Sequence, residues 1–155
     1  TLDELGGSQY YHLRGYTGNN VPKVGVAKAK NIFTSLSNAT SMGLVKSCHD
    51  CSEGGLAVSL AEMAFAGNLG AEIDLTKIKG QKRNDSALFS ESNSRFIAEV
   101  EPELKEEFEA SMKGHATLIG LTTEEKRFVI NRNGKKLIDI GVEELKEAWK
   151  KPLDW

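Results

Sequence analysis

The chain has 155 residues, enough for one domain, and its composition of 39% hydrophobic and 27% charged residues excludes intrinsic disorder. The formal net charge of -2, from 20 basic and 22 acidic residues, gives no general attraction to nucleic acid or to an anionic membrane. No apolar run is long enough to span a bilayer and no secretion leader stands at the start, so we expect a cytoplasmic protein that binds neither nucleic acid nor membrane.

The first 20 residues are predicted to form a lead-in segment, and residues 21–155 the main domain. Gly, Tyr and Asn are frequent in the lead-in, and the turn cluster "GYTGNN" at 15–20 leaves room for one short helix before it. The opening "TLDELGGSQYY" resembles the interior of a longer sequence. We therefore expect the chain to be a fragment of a larger protein.

Hydrophobic periodicity then predicts helices and strands that intermix without strict alternation. Pro22 stands where a first helical residue is favoured, and Gly67-Asn68 is typical of a helix end. In chain order we predict a helix at 24–44, a strand at 44–49, a helix at 54–66, a strand at 70–75, a charged loop at 76–87, a strand at 96–100, a helix at 102–112, strands at 116–123, 127–133 and 135–140, and a helix at 142–155.

These elements predict an α/β (α+β) fold, with a mixed β-sheet and helices packed on it. Asn133-Gly134 is a strong hairpin signal between two of the strands. In the closing helix, an inner face is predicted from Leu145, Ala148 and Trp149, with Pro152 ending the helix.

The helix at 54–66 is predicted to be the centre of the core. Only Ser59 and Glu62 interrupt its apolar character, so it should be heavily buried against the sheet and against the helix at 24–44. Its predicted buried residues are Leu56, Leu60, Ala61, Ala64 and Phe65.

Cys48 and Cys51 form a CxxC motif that permits two interpretations. A redox pair or half of a zinc site is one, but a structural zinc needs four ligands and the sequence has no second cysteine pair. The other interpretation is a pair of structural thiols, since a buried cysteine usually behaves as a small hydrophobe.

The stretch "CSEGGLA" at 51–57 predicts a tight turn from a strand into a helix. Gly54 and Gly55 would let the backbone approach a phosphate at the helix N-terminus. The simpler interpretation is an N-cap by Ser52 with Glu53 placed favourably against the helix dipole, and on local evidence this alternative is the stronger one.

The stretch "LFSESNSRF" at 88–96 carries a polar cluster immediately before an apolar strand. Its side chains would suit a ligand, and Arg95 would suit an anion in particular. A serine-rich turn with a structural pair between Arg95 and Glu91 explains the same residues. The polar residues of this stretch are Ser90, Glu91, Ser92, Ser94 and Arg95.

Together and in this order, "HDCSEGGLAVSLAEMAFAGNLGAEIDL" and "ALFSESNSRFIAEV" closely resemble the C-terminal part of the synthetase component of formylglycinamide ribonucleotide amidotransferase, also called phosphoribosylformylglycinamidine synthase. "ELGGSQYY" and "VEELKEAWKKPLDW" resemble the flanking segments, so the likeness covers nearly the whole chain. The family shares its fold with aminoimidazole ribonucleotide synthetase and has two halves. The wording here is similar to the second half, apart from Cys48, Cys51 and Glu53.

The resemblance implies an aminoimidazole ribonucleotide synthetase-like C-terminal domain of a purine-biosynthetic ligase. Such an enzyme uses ATP, Mg²⁺ and glutamine-derived ammonia to convert formylglycinamide ribonucleotide into formylglycinamidine ribonucleotide. Its partners would be the N-terminal ATP-binding domains of the synthetase and a glutaminase. Because those domains hold the catalytic residues, the fragment should contain none, need no cofactor alone and be inactive.

The residues that match the family motifs are expected to form one polar side of an interdomain cleft, where "DCSEGG" and "SESNSR" lie close together. The resemblance implies a metal ligand in Asp50. His49 is expected to position its neighbours by a hydrogen bond, since a neutral imidazole beside an acid does this more often than it catalyses a reaction. The resemblance also implies contact with phosphate or nucleotide for Ser52, Gly54, Gly55, Ser90, Glu91, Ser92 and Arg95.

Two alternatives remain at this point. The chain could be a scaffold domain that stabilises the synthetase and binds no ligand itself. It could also belong to a related enzyme such as aminoimidazole ribonucleotide synthetase or a thiamine phosphate kinase, although the ending "EELKEAWKKPL" speaks against these.

Overall fold

The computed structural model describes residues 1–78, 80 and 83–153. Its regular elements are α1 Gln9–Leu13, α2 Val26–Ser41, β1 Ser47–Asp50, α3 Gly55–Gly67, β2 Gly70–Asp74, α4 Asn84–Phe89, β3 Phe96–Glu99, α5 Lys105–Ser111, β4 Gly120–Thr123, β5 Arg127–Arg132, β6 Lys135–Gly141 and α6 Val142–Lys150. Short 3₁₀ turns lie at Leu75–Lys77, Pro102–Leu104 and Lys151–Leu153. No helix in the described ranges has both the length and the apolar character needed to cross a membrane.

The strands form two separate sheets. β4, β2, β5 and β6 lie side by side in that order, with β2 parallel to β5 and the other neighbours antiparallel. This mixed sheet, with helices against it, confirms the predicted fold class. β1 and β3 form an antiparallel two-stranded ribbon of their own, so the predicted strands do not join into one sheet.

The hairpin between β5 and β6 is confirmed. Asn133 has φ 52° and Gly134 has φ 72°, and two successive positive φ values are what a two-residue hairpin of type I′ requires. Because asparagine and glycine accept this conformation at low cost, the dipeptide fixes the register of the two strands.

The main hydrophobic core surrounds α3. Leu56, Leu60 and Ala64 are buried as predicted, whereas Ala61 and Phe65 are only partly buried. The sheet contributes Ala71 and Ile73 from β2 and Phe128 and Ile130 from β5. Other parts of the chain add Leu75, Ala87, Leu88 and Val142. α3 therefore packs between the four-stranded sheet, α4 and α6.

A second, smaller core corrects the expected position of the helix at 24–44. Leu36 and Ala39 of α2 are buried with Phe108 and Met112 rather than in the α3 cluster. Val45, Ala98 and Val100 pack against this group, so α2 and α5 cover the ribbon. The apolar periodicity of α2 indicated a buried face but not which element would bury it.

Three predicted elements have different bounds in the structure. The charged loop at 76–87 contains the start of α4, and residues 79, 81 and 82 of that loop lie outside the described residues. The strand at 116–123 is reduced to β4. The closing helix ends at Lys150 and turns into a 3₁₀ segment containing Pro152, which cannot donate a helical hydrogen bond.

The predicted inner face of α6 is wrong in part. Val142 is buried and Leu145 is partly buried, but Ala148 is exposed. Trp149 is half-exposed, although its ring centroid lies 5.6 Å from that of Phe65 on α3. The contact with α3 therefore involves the first turns of α6 and the tryptophan ring, which is tilted against Phe65.

Replacing Leu60 by alanine tests the central position of α3. Leu60→Ala should lower the free energy of unfolding by about 2–5 kcal/mol, because a buried side chain is lost and a cavity remains. Leu13→Ala on the exposed surface of α1 is the matched control and should change it by less than about 0.5 kcal/mol. Urea denaturation measures both, and equal effects would contradict a core centred on α3.

Candidate functional site

The two polar motifs are residues 50–55, the first motif, and residues 90–95, the second motif. They meet because the strands beside them pair. β1 ends at Asp50, β3 begins at Phe96, and the antiparallel register places these two residues opposite each other. The N–H of Cys51 donates to the Arg95 carbonyl at 2.9 Å and extends this pairing by one step. Residues 50–55 and 90–95 therefore lie side by side at one end of the ribbon.

The two glycines allow α3 to begin very close to the second motif. Gly54 has φ 76° and Gly55 has φ 63°, a region that residues with a side chain rarely adopt. A Cβ atom on Gly55 would lie 2.5 Å from the Ser90 carbonyl oxygen. One on Gly54 would lie 2.3 Å from a methyl group of Val58. The absence of a side chain at Gly54 and Gly55 thus permits close contacts within the protein itself.

The start of α3 is occupied by a carboxylate of the protein itself. Glu91 Oε1 accepts hydrogen bonds from the Gly54 N–H at 2.9 Å and from the Gln9 N–H at 3.0 Å. The Gly55 N–H donates to the Ser52 carbonyl. These two N–H groups are therefore not available to a phosphate at the helix N-terminus. The predicted N-cap by the Ser52 side chain is also absent, since α3 has no side-chain cap.

Ser90 and Ser92 face the lead-in segment. Both residues are buried, and neither is among the residues lining the pocket described below. Ser90 Oγ accepts from the Glu4 N–H at 3.2 Å, and Ser92 Oγ accepts from the Leu2 N–H at 3.0 Å. These hydroxyls therefore fasten residues 1–8 to the second motif.

Arg95 is also engaged inside the protein. Its Nε donates to the Ser92 carbonyl at 2.8 Å, Nη1 donates to the Thr1 hydroxyl at 2.9 Å, and Nη2 donates to the Ser90 carbonyl. Burial lowers the pKa of the guanidinium, but not enough to discharge an arginine. The expected Arg95–Glu91 ion pair is not how Arg95 is satisfied, because carbonyl and hydroxyl oxygens take its donors.

An open pocket of about 480 Å³ lies where the motifs meet. Asp50, Ser52 and Glu53 line one side, and Glu91, Asn93 and Arg95 line the other. Among these described lining residues three are acidic and one is basic. We call this depression the acidic pocket. Its charge is unfavourable for direct contact with a phosphate and favourable for a cation.

Asp50, the predicted metal ligand, has an exposed side chain. One of its oxygens accepts from the Ser52 hydroxyl, and the other lies 3.6 Å from His49 Nδ1. The Ser52 hydroxyl lowers the pKa of the Asp50 carboxyl. Across the described part of the chain, no group of three or more His, Cys, Asp or Glu side chains is placed to hold a metal ion. Asp50 can thus supply one carboxylate ligand, but a magnesium ion would need further ligands from elsewhere.

Two residues that the sequence presented only as interruptions of an apolar helix belong to this region. Glu62 Oε2 lies 2.9 Å from His49 Nε2, and Ser59 Oγ donates to the Asp50 carbonyl at 3.0 Å. Both side chains project from α3 toward the end of β1. Polar residues three apart in an otherwise apolar helix were the signal that could have identified them.

The two cysteines are free thiols with different surroundings. Cys51 is buried in the α3 cluster, and Cys48 is exposed on the ribbon. Burial raises the pKa of both thiols, which opposes formation of the reactive thiolate. This arrangement favours the structural interpretation.

Solved structures share this α/β architecture. Thermotoga maritima PurL complexed with FGAR matches with a TM-score of 0.74 and 19% identity, over 81% of this chain and 22% of that one. The T. maritima PurL complexed with ATP gives a TM-score of 0.68 at 20% identity, over 75% and 21%. Hydrogenase maturation protein HypE gives 0.63 at 16% identity, over 90% and 50%. These likenesses define the fold class.

The amino-acid sequence shows the family to which the chain belongs. Residues 2–133 match the model of the C-terminal domain of AIR synthase related proteins, and the chain belongs to this family. The resemblance of the motifs is thereby confirmed.

Two curated relatives carry the name phosphoribosylformylglycinamidine synthase subunit PurL. The one from Methanocaldococcus jannaschii is 39% identical over 151 residues, which is 96% of this chain and 20% of the relative. The one from Moorella thermoacetica is 36% identical over 157 residues, which is 99% of this chain and 21% of the relative. The chain thus spans about one fifth of the length of these relatives.

Gly55→Ala should be strongly destabilising, by about 3 kcal/mol or more, because a Cβ collides with the Ser90 carbonyl and φ is positive. Gly43 has a similar φ of 75° but open space around it, so Gly43→Ala should cost only about 1 kcal/mol. Chemical denaturation of both variants separates the collision from the backbone strain. Equal losses would contradict the close approach.

Two substitutions of Glu91, by alanine and by glutamine, should differ in their effect on the free energy of unfolding. Glu91→Ala removes the acceptor of two backbone N–H groups and should lower the free energy of unfolding by about 1–3 kcal/mol. Glu91→Gln keeps an oxygen in place and should lose about 1 kcal/mol or less. Thermal and urea unfolding measure both variants. If both lose the same free energy of unfolding, the hydrogen-bond acceptor at position 91 does not account for the stability.

Proposed function

We propose that this chain is the C-terminal domain of the synthetase component of a phosphoribosylformylglycinamidine synthase. The whole enzyme would convert formylglycinamide ribonucleotide, ATP and glutamine-derived ammonia into formylglycinamidine ribonucleotide, ADP and phosphate. The observation that carries the proposal is the identity of up to 39% with PurL subunits over 96% of the chain. The structures titled as PurL complexes with FGAR and with ATP support the same assignment through their fold.

Within such an enzyme the domain would supply one side of the ligand cleft rather than reacting groups. ATP would activate the formyl amide oxygen by phosphorylation, and positioning and charge stabilisation dominate such chemistry. The described residues around the acidic pocket hold each other: Ser52 holds Asp50, Glu91 holds the starts of α3 and α1, and Arg95 holds the loop 90–92. Their role would be to keep this surface rigid.

Under this proposal, only some of the candidate residues are placed to contact a nucleotide or a metal ion directly. Ser52, Glu91 and Arg95 line the acidic pocket together with Asp50, whereas Gly54, Gly55, Ser90 and Ser92 shape the backbone behind it. With three carboxylates there, a phosphate would contact this surface only through a cation, and Asp50 and Glu53 are the residues with exposed carboxylates, of which Asp50 is the one that matches the family motif. His49, held between Asp50 and Glu62, would orient Asp50.

A scaffold role without ligand contact is the second candidate. It is favoured by a specific observation: the polar groups of Ser90, Ser92 and Arg95, and one oxygen of Glu91, all have partners inside the domain. In both cases the partners would be the rest of the synthetase chain and a glutaminase, in the cytoplasm. A solved structure titled PurLQS from Thermotoga maritima supports the existence of such an assembly for the relative.

Activity of the complete synthetase separates the two candidates. In a protein extended to the length of its relatives, Asp50→Asn should raise the KM for ATP or lower kcat by roughly tenfold, because one ion–carboxylate interaction is lost. Glu106→Gln, exposed on α5, is the matched control and should leave both constants unchanged. ADP release with ammonium as the nitrogen source measures the rate.

The isolated 155-residue chain should release no ADP in the same assay, since it lacks the proposed ATP-binding domains. Turnover by the isolated chain would contradict the proposal. If Asp50→Asn behaves like the control in the complete enzyme, the scaffold role is the correct one.

A further inference from the structure

The acidic pocket has an apolar side that the proposed chemistry does not use. Phe33 of α2 and Phe96 of β3 form an edge-to-face pair with ring centroids 5.6 Å apart. The two residues keep 48% and 37% of their surface exposed, and Pro22 lies beside them in the pocket lining. Exposed aromatic pairs bordered by polar groups are typical of binding surfaces.

Negative charge lies directly beside these rings. Asp50 stands opposite Phe96 in the ribbon, so their side chains share one face, and Glu53 and Glu91 also line the pocket. Arg95 is the one basic residue among the described lining residues, and its donors are turned to Ser90, Ser92 and Thr1. The pocket therefore combines aromatic surface with carboxylates that lack an outward cation.

We propose that the acidic pocket receives a cationic side chain, best an arginine, from the part of the synthetase that lies outside this chain. The inference rests on the proposed function, because it assigns the occupant to the same larger protein. A guanidinium can lie on an aromatic ring while its N–H groups bond a carboxylate, and Phe96 and Glu53, which line the same pocket, offer these two contacts. A phosphate would meet like charge, and a purely apolar segment would leave the carboxylates unpaired.

A second depression indicates what flanks that arginine. It has a volume of about 350 Å³, lies on the other side of the same two rings and is lined by uncharged residues that include Leu36, Thr40 and Cys48. Because Phe33 and Phe96 border both depressions, one extended segment can fill them together. The partner segment should therefore carry a cation next to an apolar side chain.

Photo-crosslinking in the complete synthetase tests the proposal. Phe33 is replaced by p-benzoylphenylalanine, and crosslinked peptides are identified by mass spectrometry. We expect a crosslink to a peptide outside the present 155 residues that contains an arginine or lysine next to an apolar residue. The same photo-reactive residue at Leu13, 82% exposed on α1, is the matched control and should not capture that peptide.

Charge reversal then tests the ionic part. Glu53→Lys should reduce the crosslinking yield by about tenfold, as expected when an attractive charge contact becomes repulsive. Glu106→Lys, exposed on α5, should leave the yield unchanged. Replacing the captured arginine by glutamate in the Glu53→Lys protein should restore the yield, because the charges are then exchanged.

Several outcomes would overturn the proposal. These are crosslinks confined to the present residues, no crosslink, capture of a peptide without a cation, a dimer-sized product from two copies, or a yield insensitive to Glu53→Lys. Loss of the crosslink with a chelator and recovery with Mg²⁺ alone would assign the pocket to a metal ion instead. The yield does not depend on turnover, so a synthetase that makes no formylglycinamidine ribonucleotide would overturn the proposed function separately.

Discussion

One carboxylate oxygen, Oε1 of Glu91, links parts of this domain that are far apart in the sequence. Glu91 Oε1 accepts the N–H groups that open both α3 and α1, and so it joins the core helix, the lead-in and the second motif at a single point. A carboxylate is well suited to this position, because the unpaired N–H groups at helix N-termini carry partial positive charge. The Gly54 and Gln9 N–H groups are therefore not available to an external anion.

The motif residues therefore have a mainly architectural use within the described chain. Gly55 permits the backbone contact with Ser90, the serines bind the lead-in, and Arg95 collects two carbonyl oxygens of its own loop. Such a closed network is rigid, because removing one partner leaves a buried polar group unsatisfied. A rigid surface with an acidic and aromatic face is suited to docking against other parts of a large enzyme, which is the use that we propose for it.

Local patterns predicted the parts of the fold that depend on local physics. The Asn133-Gly134 hairpin and the apolar helix α3 follow from turn chemistry and periodicity, and their existence was correctly predicted. Partner choice is not local: nothing in α2 distinguishes packing on α5 from packing on α3, and the apolar pattern is satisfied by either. α4 was missed because its six residues contain too little periodicity to distinguish a helix from a loop.

For the site, too, some features could be inferred from the sequence and others could not. The proximity of the two motifs was inferred from family resemblance, and the pairing of β1 with β3 produces it. The direction of individual hydrogen bonds was not accessible, because Glu91 was equally suited to Arg95 and to two backbone N–H groups. Choosing between them requires knowing that α1, residues 9–13, lies beside residue 91, a contact between parts of the chain that are 82 residues apart.

The lead-in also sets the order in which this domain can be completed. Leu2 and Glu4 bond partners that lie 90 and 86 positions later, so these contacts cannot form until the loop that carries Ser90 and Ser92 has been synthesised. Closing such long loops is entropically costly and slows folding, because the contacts that reward it come last. Until then the side of α4 that contacts Asp3 and Tyr10 stays open.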